Sequence, residues 1–270
     1  MNSLSLAWKI RRHGIEMTHL SKGSHIGAIL SVADIIAVLY ADIVKVDCKN
    51  PKDESRDRVI LSKGHAGAAM YAALAERGFF DVEDLKGHYS DGSNLSGHVS
   101  HKGVPGVELS TGSLGHGLPV GAGMALVGKR NGSPHRIFVV LGDGECDEGT
   151  TWETALFANH FNLSNLVAIV DHNKIQSLDF CEETIKLNPF ADKWRAFGWK
   201  VIEVDGHDTE ALKSALENTK NEENKPTVVL AHTVKGKGVS FMEGKVLWHY
   251  RDPQGEFYEA AVRELEEVKP

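Results

Sequence analysis

Residues 136–175 read RIFVVLGDGECDEGTTWETALFANHFNLSNLVAIVDHNKI. The two ends of this stretch, 136–141 and 166–170, are short apolar runs rich in β-branched residues, and neither alternates with polar positions. A helical pattern over about 150–162 separates them. Apolar strands joined by a helix predict a parallel sheet covered on both faces, because such strands are buried on two sides. The same alternation continues on either side. Arg58 to Leu61 is a further strand, 200–204 and 227–231 are two more, and helical patterns fall at 3–20, 31–44, 65–78, 81–87, 115–129, 190–197 and 208–219. Ser31 is the expected cap of the second helix and Asp81 that of the helix at 81–87. The expected fold class is therefore α/β, a doubly wound, mostly parallel sheet with helices on both faces, formed as one domain over 1–270. Ligands in such sheets bind beyond the carboxyl ends of the strands.

Composition narrows the function. The 270 residues carry 30 Lys and Arg against 37 Asp and Glu, a formal charge of −7. No basic stripe is present, so the expectation is no nucleic-acid partner. Apolar residues make up 41%, enough for a sizeable core. The expectation is also no membrane partner. The nearest candidate run, Gly117 to Gly128, has 12 residues against the roughly 18–20 a span needs. The first residues lack the pattern of a signal peptide. Cys48, Cys146 and Cys181 are odd in number and have no paired spacing, which predicts reduced thiols and a cytoplasmic location.

Chemistry is expected just after each strand. The strand at 136–141 runs into Gly142-Asp143-Gly144, and the strand at 166–170 into Asp171-His172-Asn173-Lys174-Ile175. Asp143 and Asn173 lie 30 residues apart, at neighbouring strand ends. One carboxylate and one amide oxygen leave positions open for phosphate oxygens and water, as Mg²⁺ sites on phosphates do. Alone, a Gly-Asp-Gly after a strand is also compatible with a tight turn.

The spacing resembles the thiamine diphosphate signature of the transketolase family. Further segments resemble that family in order along the chain: Leu61-Ser62-Lys63-Gly64-His65-Ala66, Leu95-Ser96-Gly97-His98, Thr111-Gly112-Ser113-Leu114-Gly115, and Lys235-Gly236-Lys237-Gly238 with Trp248-His249. The resemblance implies that Asp143 and Asn173, with the carbonyl of Ile175, hold Mg²⁺ (or Ca²⁺ or Mn²⁺ in its place) on the diphosphate of thiamine diphosphate. Gly144 would lie against that diphosphate. Lys63 and Lys235 would compensate phosphate charge or fix the pocket, and Gly112, Ser113 and Leu114 would line the aminopyrimidine side. His25, His65, His98 and His249 would cluster over the thiazolium ring as acid–base groups. Two departures from the family pattern stand out: Ile26 replaces a proline after His25, and His116 replaces a glutamine after Gly115. His232 is a further candidate near the site. Glu148 and Glu153 are either acidic residues favoured in a helix's first turns or a carboxylate pair at a subunit interface.

The resemblance also implies what this chain needs. The glutamate that activates the cofactor lies on the family's pyrimidine-binding domain, which the sequence does not contain. The expected protein is thus the diphosphate-binding subunit of a split transketolase. Its partner is a C-terminal transketolase subunit carrying the pyrimidine-binding domain and its Glu, with two copies of each chain. The implied reaction moves a two-carbon ketol unit from a ketose to an aldose, on sugar or sugar-phosphate substrates. Helices at 115–128 and 151–162 are the expected contact faces. The competing readings are one subunit of a 2-oxo acid dehydrogenase, one of deoxyxylulose-phosphate-synthase type, and a non-catalytic regulatory paralogue.

Overall fold

Five strands form the centre of the chain: β1 (Arg58–Leu61), β2 (Ile137–Gly142), β3 (Leu166–His172), β4 (Lys200–Asp205) and β5 (Thr227–His232). The computed structural model describes all 270 residues, and in it every strand pair is parallel, in the order β1-β2-β3-β5-β4. Successive side chains on a strand point to opposite faces, and here the two faces build separate cores. Val59, Leu61, Phe138, Val140, Val167, Ile169 and Val229 face a core of 47 buried residues, and Ile60, Ile137, Val139, Leu141, Ala168 and Val170 face a second core of 20. The continuous apolar runs are explained by that double burial.

Helices α1 (Ser3–Ser21), α2 (Ile26–Val38), α3 (Gly67–Glu76), α8 (Thr209–Asn218) and α9 (Glu256–Glu267) supply the larger core. On the other face lie α4 (Gly117–Arg130), α5 (Gly149–His160) and α7 (Phe190–Ala196), with the single turn α6 (Cys181–Thr184) ahead of α7. The segment behind Asp81 is a 3₁₀ helix, and the Asp81 side chain does cap it by accepting from Glu83 N–H.

Three local expectations change. Ser31 is no cap: α2 begins five residues earlier at Ile26, because His25 adopts a left-handed conformation (φ 77°) and turns the chain into the helix. Ile26 sits at the first helical position, where proline is favoured because the N–H there is unpaired anyway. An isoleucine keeps the same backbone. The C-terminal helix α9 is an addition to the expected elements; its apolar stripe, including Ala261 and Leu265, packs against α1. One apolar run also exceeds the 12 residues considered above. Residues Ile26–Ile43 form 18 residues of continuous helical structure apolar enough, by length and composition, to span a bilayer, yet 89% of them are buried inside the fold. A helix apolar all round is what a fully enclosed position demands, and α2 is enclosed by α1, α3, α8 and the sheet.

Helix α4 approaches β2 closely through small residues. A Cβ on Gly121 would lie 2.6 Å from Val139 Cγ2, whereas a Cβ on Gly123 would meet nothing within 4 Å. Gly121→Ala is expected to destabilise the chain by about 1–3 kcal/mol through overpacking. Gly123→Ala is expected to stabilise it by about 0.5–1 kcal/mol, the usual helix-interior difference. Urea unfolding of both variants checks the register of α4 on the sheet.

Candidate active site

The carboxyl ends of four strands deliver polar groups into one place. Ser62 and Lys63 follow β1, Asp143 follows β2, Asp171 and Asn173 close β3, and Thr233 to Lys235 follow β5. Asp171 is completely buried there. Its Oδ2 accepts from Lys63 Nζ at 2.5 Å and from Ser31 Oγ at 2.6 Å, with Asn173 Nδ2 at 3.3 Å, and its Oδ1 accepts from Thr233 Oγ1. Burial alone would raise this carboxyl, but the Lys63 charge and the hydrogen bonds outweigh it and hold the group below the ordinary range. Lys63 is therefore committed to Asp171. Of the two roles expected of it, fixing the pocket is the one its geometry supports.

A second buried carboxylate, Glu145, ties the neighbouring loops together. It accepts from Ser62 Oγ, from Gly115 N–H at 3.0 Å and from Gly142 N–H at 3.1 Å. The Thr111–Gly115 segment is thereby pinned over the end of β1, aided by Thr111 Oγ1 donating to Leu61 O at 2.6 Å. Gly64 is required at this crossing, since a Cβ there would collide with the Thr111 carbonyl.

Asp143 differs from both. It is also buried, yet no basic side chain pairs with it, and it accepts from the backbone N–H groups of Lys174 (2.5 Å) and Gly144 (2.8 Å), with the Cys181 thiol beside it. Burial pushes its carboxyl up to about 6, with Asp171 adding to the effect. Asn173 Oδ1 stands nearby on the same loop, accepting from Ile175 N–H at 3.1 Å. A buried carboxylate without a cation, beside an amide oxygen and a main-chain carbonyl, is an oxygen-only donor set suited to a hard divalent ion. No cluster of three His, Cys, Asp or Glu side chains offers an alternative metal cage.

Lys235 spends all three of its donors on protein atoms: Ile175 O at 2.8 Å, Gln176 O at 3.3 Å and His249 Nδ1 at 2.6 Å. Burial and the charge of Lys63 lower it to about 8. Because His249 Nδ1 faces an ammonium, the ring's proton resides on Nε2. His25 lies at the centre of an imidazole cluster, with ring centroids 5.2 Å from His65, 5.5 Å from His98 and 5.1 Å from His249. All four are pushed towards the neutral form. Burial and then the surrounding positive groups take His25 to about 4 and His249 to about 3; burial and Lys63 lower His65, and burial lowers His98.

A cavity of about 220 Å³ runs between these groups, lined by His25, Lys63, His65, His98, Gly112, Leu114, Asp143, Gly144, Asn173, Ile175, Lys235 and His249. The one expected site residue outside its lining is Ser113, which is exposed on the adjoining loop. Glu145, Gln176, Ser177 and Tyr250 also line the cavity and fall outside the expected set. Glu145 was signalled by its place two positions after Asp143, and Tyr250 by following His249. His116 starts α4 and turns outward, its Nδ1 against Leu114 O at 2.9 Å. His232 pairs with Glu203 at 3.3 Å outside the cavity, while Glu148 and Glu153 are exposed at the start and on the flank of α5.

The histidine cluster makes the fold acid-sensitive. Between roughly pH 6.5 and 4, His25 is protonated in the unfolded chain but neutral in the folded one, its folded value being about 4. Stability therefore rises with pH across this window and is lost as pH falls through it. His25→Asn keeps a side chain tolerant of the left-handed backbone and removes the titration. Its fall in Tm between pH 7 and pH 5 is expected to be smaller than that of the wild type; an equal fall would contradict the electrostatic assignment.

Comparison with known proteins agrees with the geometry. The family described as "Transketolase, thiamine diphosphate binding domain" matches residues 4–252. The chain is 44% identical over 242 residues to a 6-deoxy-6-sulfo-D-fructose transketolase subunit from a Clostridium species, covering 90% of this chain and 88% of that one. It is 42% identical over 261 residues to an apulose-4-phosphate transketolase subunit from Phocaeicola vulgatus, covering 96% and 92%. The crystal structure of transketolase from Campylobacter jejuni superposes with a TM-score of 0.92 at 30% identity, over 98% of this chain but only 43% of that one. The chain belongs to the transketolase family of thiamine diphosphate-dependent transferases, as its thiamine diphosphate-binding part.

Proposed function

We propose that this chain is the diphosphate-binding subunit of a two-chain ketol transferase that moves a two-carbon ketol unit from a ketose donor to an aldose acceptor. The observation that carries the proposal is one cavity uniting an unpaired buried carboxylate, two oxygen donors and four neutral imidazoles at the carboxyl end of the sheet. In this reading the Asp143 and Asn173 side chains and the Ile175 carbonyl would hold Mg²⁺, or Ca²⁺ or Mn²⁺, and with Gly144 would receive the cofactor's diphosphate. Ser113 and Leu114 flank the pyrimidine side. Thiamine diphosphate, when bound, would supply a carbon nucleophile for a ketose carbonyl.

The chain's own residues do the rest. The neutral rings of His25, His65 and His98 are able to accept a proton from a substrate hydroxyl and return it. His249, with its proton fixed on Nε2, donates a hydrogen bond to developing negative charge on a substrate oxygen. Lys63 and Lys235 keep the pocket in shape and make its field positive. The names of the relatives, which act on a sulfonated and a phosphorylated sugar, fit a substrate with an anionic tail.

The partner would be a second polypeptide with the pyrimidine-binding domain and its Glu, two copies of each, and residues 1–270 would act as a single domain. Relatives named as subunits and covered over nearly their whole length support this. So do the exposed apolar residues Val120, Val127, Leu156 and Phe157 on α4 and α5, where Glu148 and Glu153 would join an interface of roughly 2,000 Å² or more. Three free thiols fit a cytoplasmic protein.

Titrating thiamine diphosphate and Mg²⁺ into the reconstituted pair tests the metal assignment. Asp143→Ala and Asn173→Ala are expected to lose Mg²⁺-dependent binding; unchanged affinity would refute it. In ketol-transfer assays across ketose donors and aldose acceptors, His98→Ala is expected to bind cofactor normally while turnover drops by about 10²- to 10⁴-fold. The isolated chain should show no transfer, and robust turnover by it alone would overturn the two-chain reading.

A further inference from the structure

The loop after β5 carries Lys235 into the cavity against two opposing tendencies. Gly236 (φ 86°) and Gly238 (φ 94°) are in the left-handed region and leave the loop little intrinsic stiffness. The buried ammonium of Lys63 also repels that of Lys235. Two side chains outside the cavity grip the loop on either side of Lys235. Val234 N–H donates to His207 Nε2 at 2.8 Å, and Lys237 O accepts from Arg11 Nε at 3.1 Å. Both grips converge on one carboxylate. Arg11 donates through Nη1 and Nη2 to the two oxygens of Asp34 (3.1 and 2.5 Å), and His207 Nδ1 lies 2.7 Å from Asp34 Oδ2.

The proton positions follow from these contacts. Val234 N–H can only donate, so His207 Nε2 is the acceptor, Nδ1 carries the proton, and that proton goes to Asp34. Arg11 and Asp34 are buried in α1 and α2, and His207 lies in the turn between β4 and α8. None of the three lines the cavity. Arg11 and His207, distant in sequence, thus bond the backbone of one cavity-side loop and share Asp34 behind it.

We propose that Arg11, Asp34 and His207 are positioning residues that set the location of Lys235, and through it the Ile175 carbonyl and the tautomer of His249. The clamp itself stands on the geometry above; its effect on cofactor binding rests on the proposed function. A core ion pair that only stabilised the fold would have no need to bond the loop at positions 234 and 237, on both sides of the lysine.

The test separates the two bonds of His207. A glutamine at 207 can place an oxygen acceptor near the Nε2 position, and an asparagine can place a donor near Nδ1. In the chain assembled with its second subunit, His207→Asn and His207→Ala are expected to weaken thiamine diphosphate binding at fixed Mg²⁺ by about tenfold, the scale of one lost hydrogen bond. Turnover at saturating cofactor should fall less than affinity. His207→Gln should restore affinity to within about threefold of wild type. In the full chain alone, hydrogen exchange at the Val234 amide should accelerate in Asn and Ala but not in Gln. Lower Tm with unchanged affinity and unchanged Val234 exchange would reduce the triad to a structural ion pair and overturn the proposal. If the wild-type assembly binds no thiamine diphosphate, the functional reading fails instead. The clamp is then decided by exchange alone, and unchanged rates at Val234 in His207→Ala would overturn it.

Discussion

The site depends on a carboxylate that never meets solvent. Asp171, next to last in the central strand β3, accepts from residues of α2 (Ser31), the β1 end (Lys63), the β5 end (Thr233) and the loop after its own strand (Asn173). Four pieces of chain are locked in register by one group. A buried charge is costly unless paired and fully hydrogen-bonded, so the arrangement is all or nothing: each donor is needed, and each fixes its own segment. The ends of β1 and β5 carry Lys63 and Lys235, and the loop after Asp171 carries Asn173 and Ile175. The geometry of the cavity is therefore a consequence of satisfying Asp171.

Charge is then distributed by contrast among three buried carboxylates. Asp171 has its ammonium, and Glu145 has three neutral donors that hold the Gly115 loop. Asp143 is left with two backbone N–H groups and a carboxyl pushed upward by burial. The protein has a lysine within electrostatic reach and spends it elsewhere. Such an underpaired anion is suited to a cation, as the proposed function requires. The imidazoles follow the same logic with opposite sign. Burial disfavours positive charge on all four rings, and the ammoniums of Lys63 and Lys235 add to it at His25, His65 and His249, so the histidines stay neutral.

Much of this could be read from the sequence, because chemistry in a parallel sheet sits at predictable places. Apolar runs marked β2, β3 and β5 plainly, β1 and the mixed Lys200-Val201-Ile202-Glu203-Val204-Asp205 of β4 less so, and the residues just after β1, β2, β3 and β5 included Lys63, Asp143, Asn173 and Lys235. What stayed hidden was set by contacts distant in sequence. Ser31 looked like a cap because serine favours that position; its bond to Asp171, 140 residues away, is invisible to local pattern. Neither the left-handed His25 nor the early start of α2 has a glycine to announce it. Lys63 and Lys235 were recognisable as functional lysines, but their partners, a carboxylate and two carbonyls with an imidazole, emerge only from packing. The apolar run 26–43 shows the limit of composition, since burial and bilayer insertion ask for the same residues.

Burial also grades the cavity from one side to the other. Lys63, Asp143, Asn173, Lys235 and His249 at its deep end are all buried, whereas Tyr250 at the same cavity is 62% exposed and the neighbouring Ser113 lies open. Asp143 apart, the deep end is held by donors and acceptors consumed by one another; Lys235, with three acceptors for three protons, has no freedom left. The outer rim has no comparable network, and Leu178 and Phe180 beyond it present apolar surface to water. A cavity closed by its own hydrogen bonds at one end and open at the other suits a ligand that is gripped at its inner end before its outer part is enclosed. Orientation is then a property of this chain, and enclosure a property of whatever covers its rim.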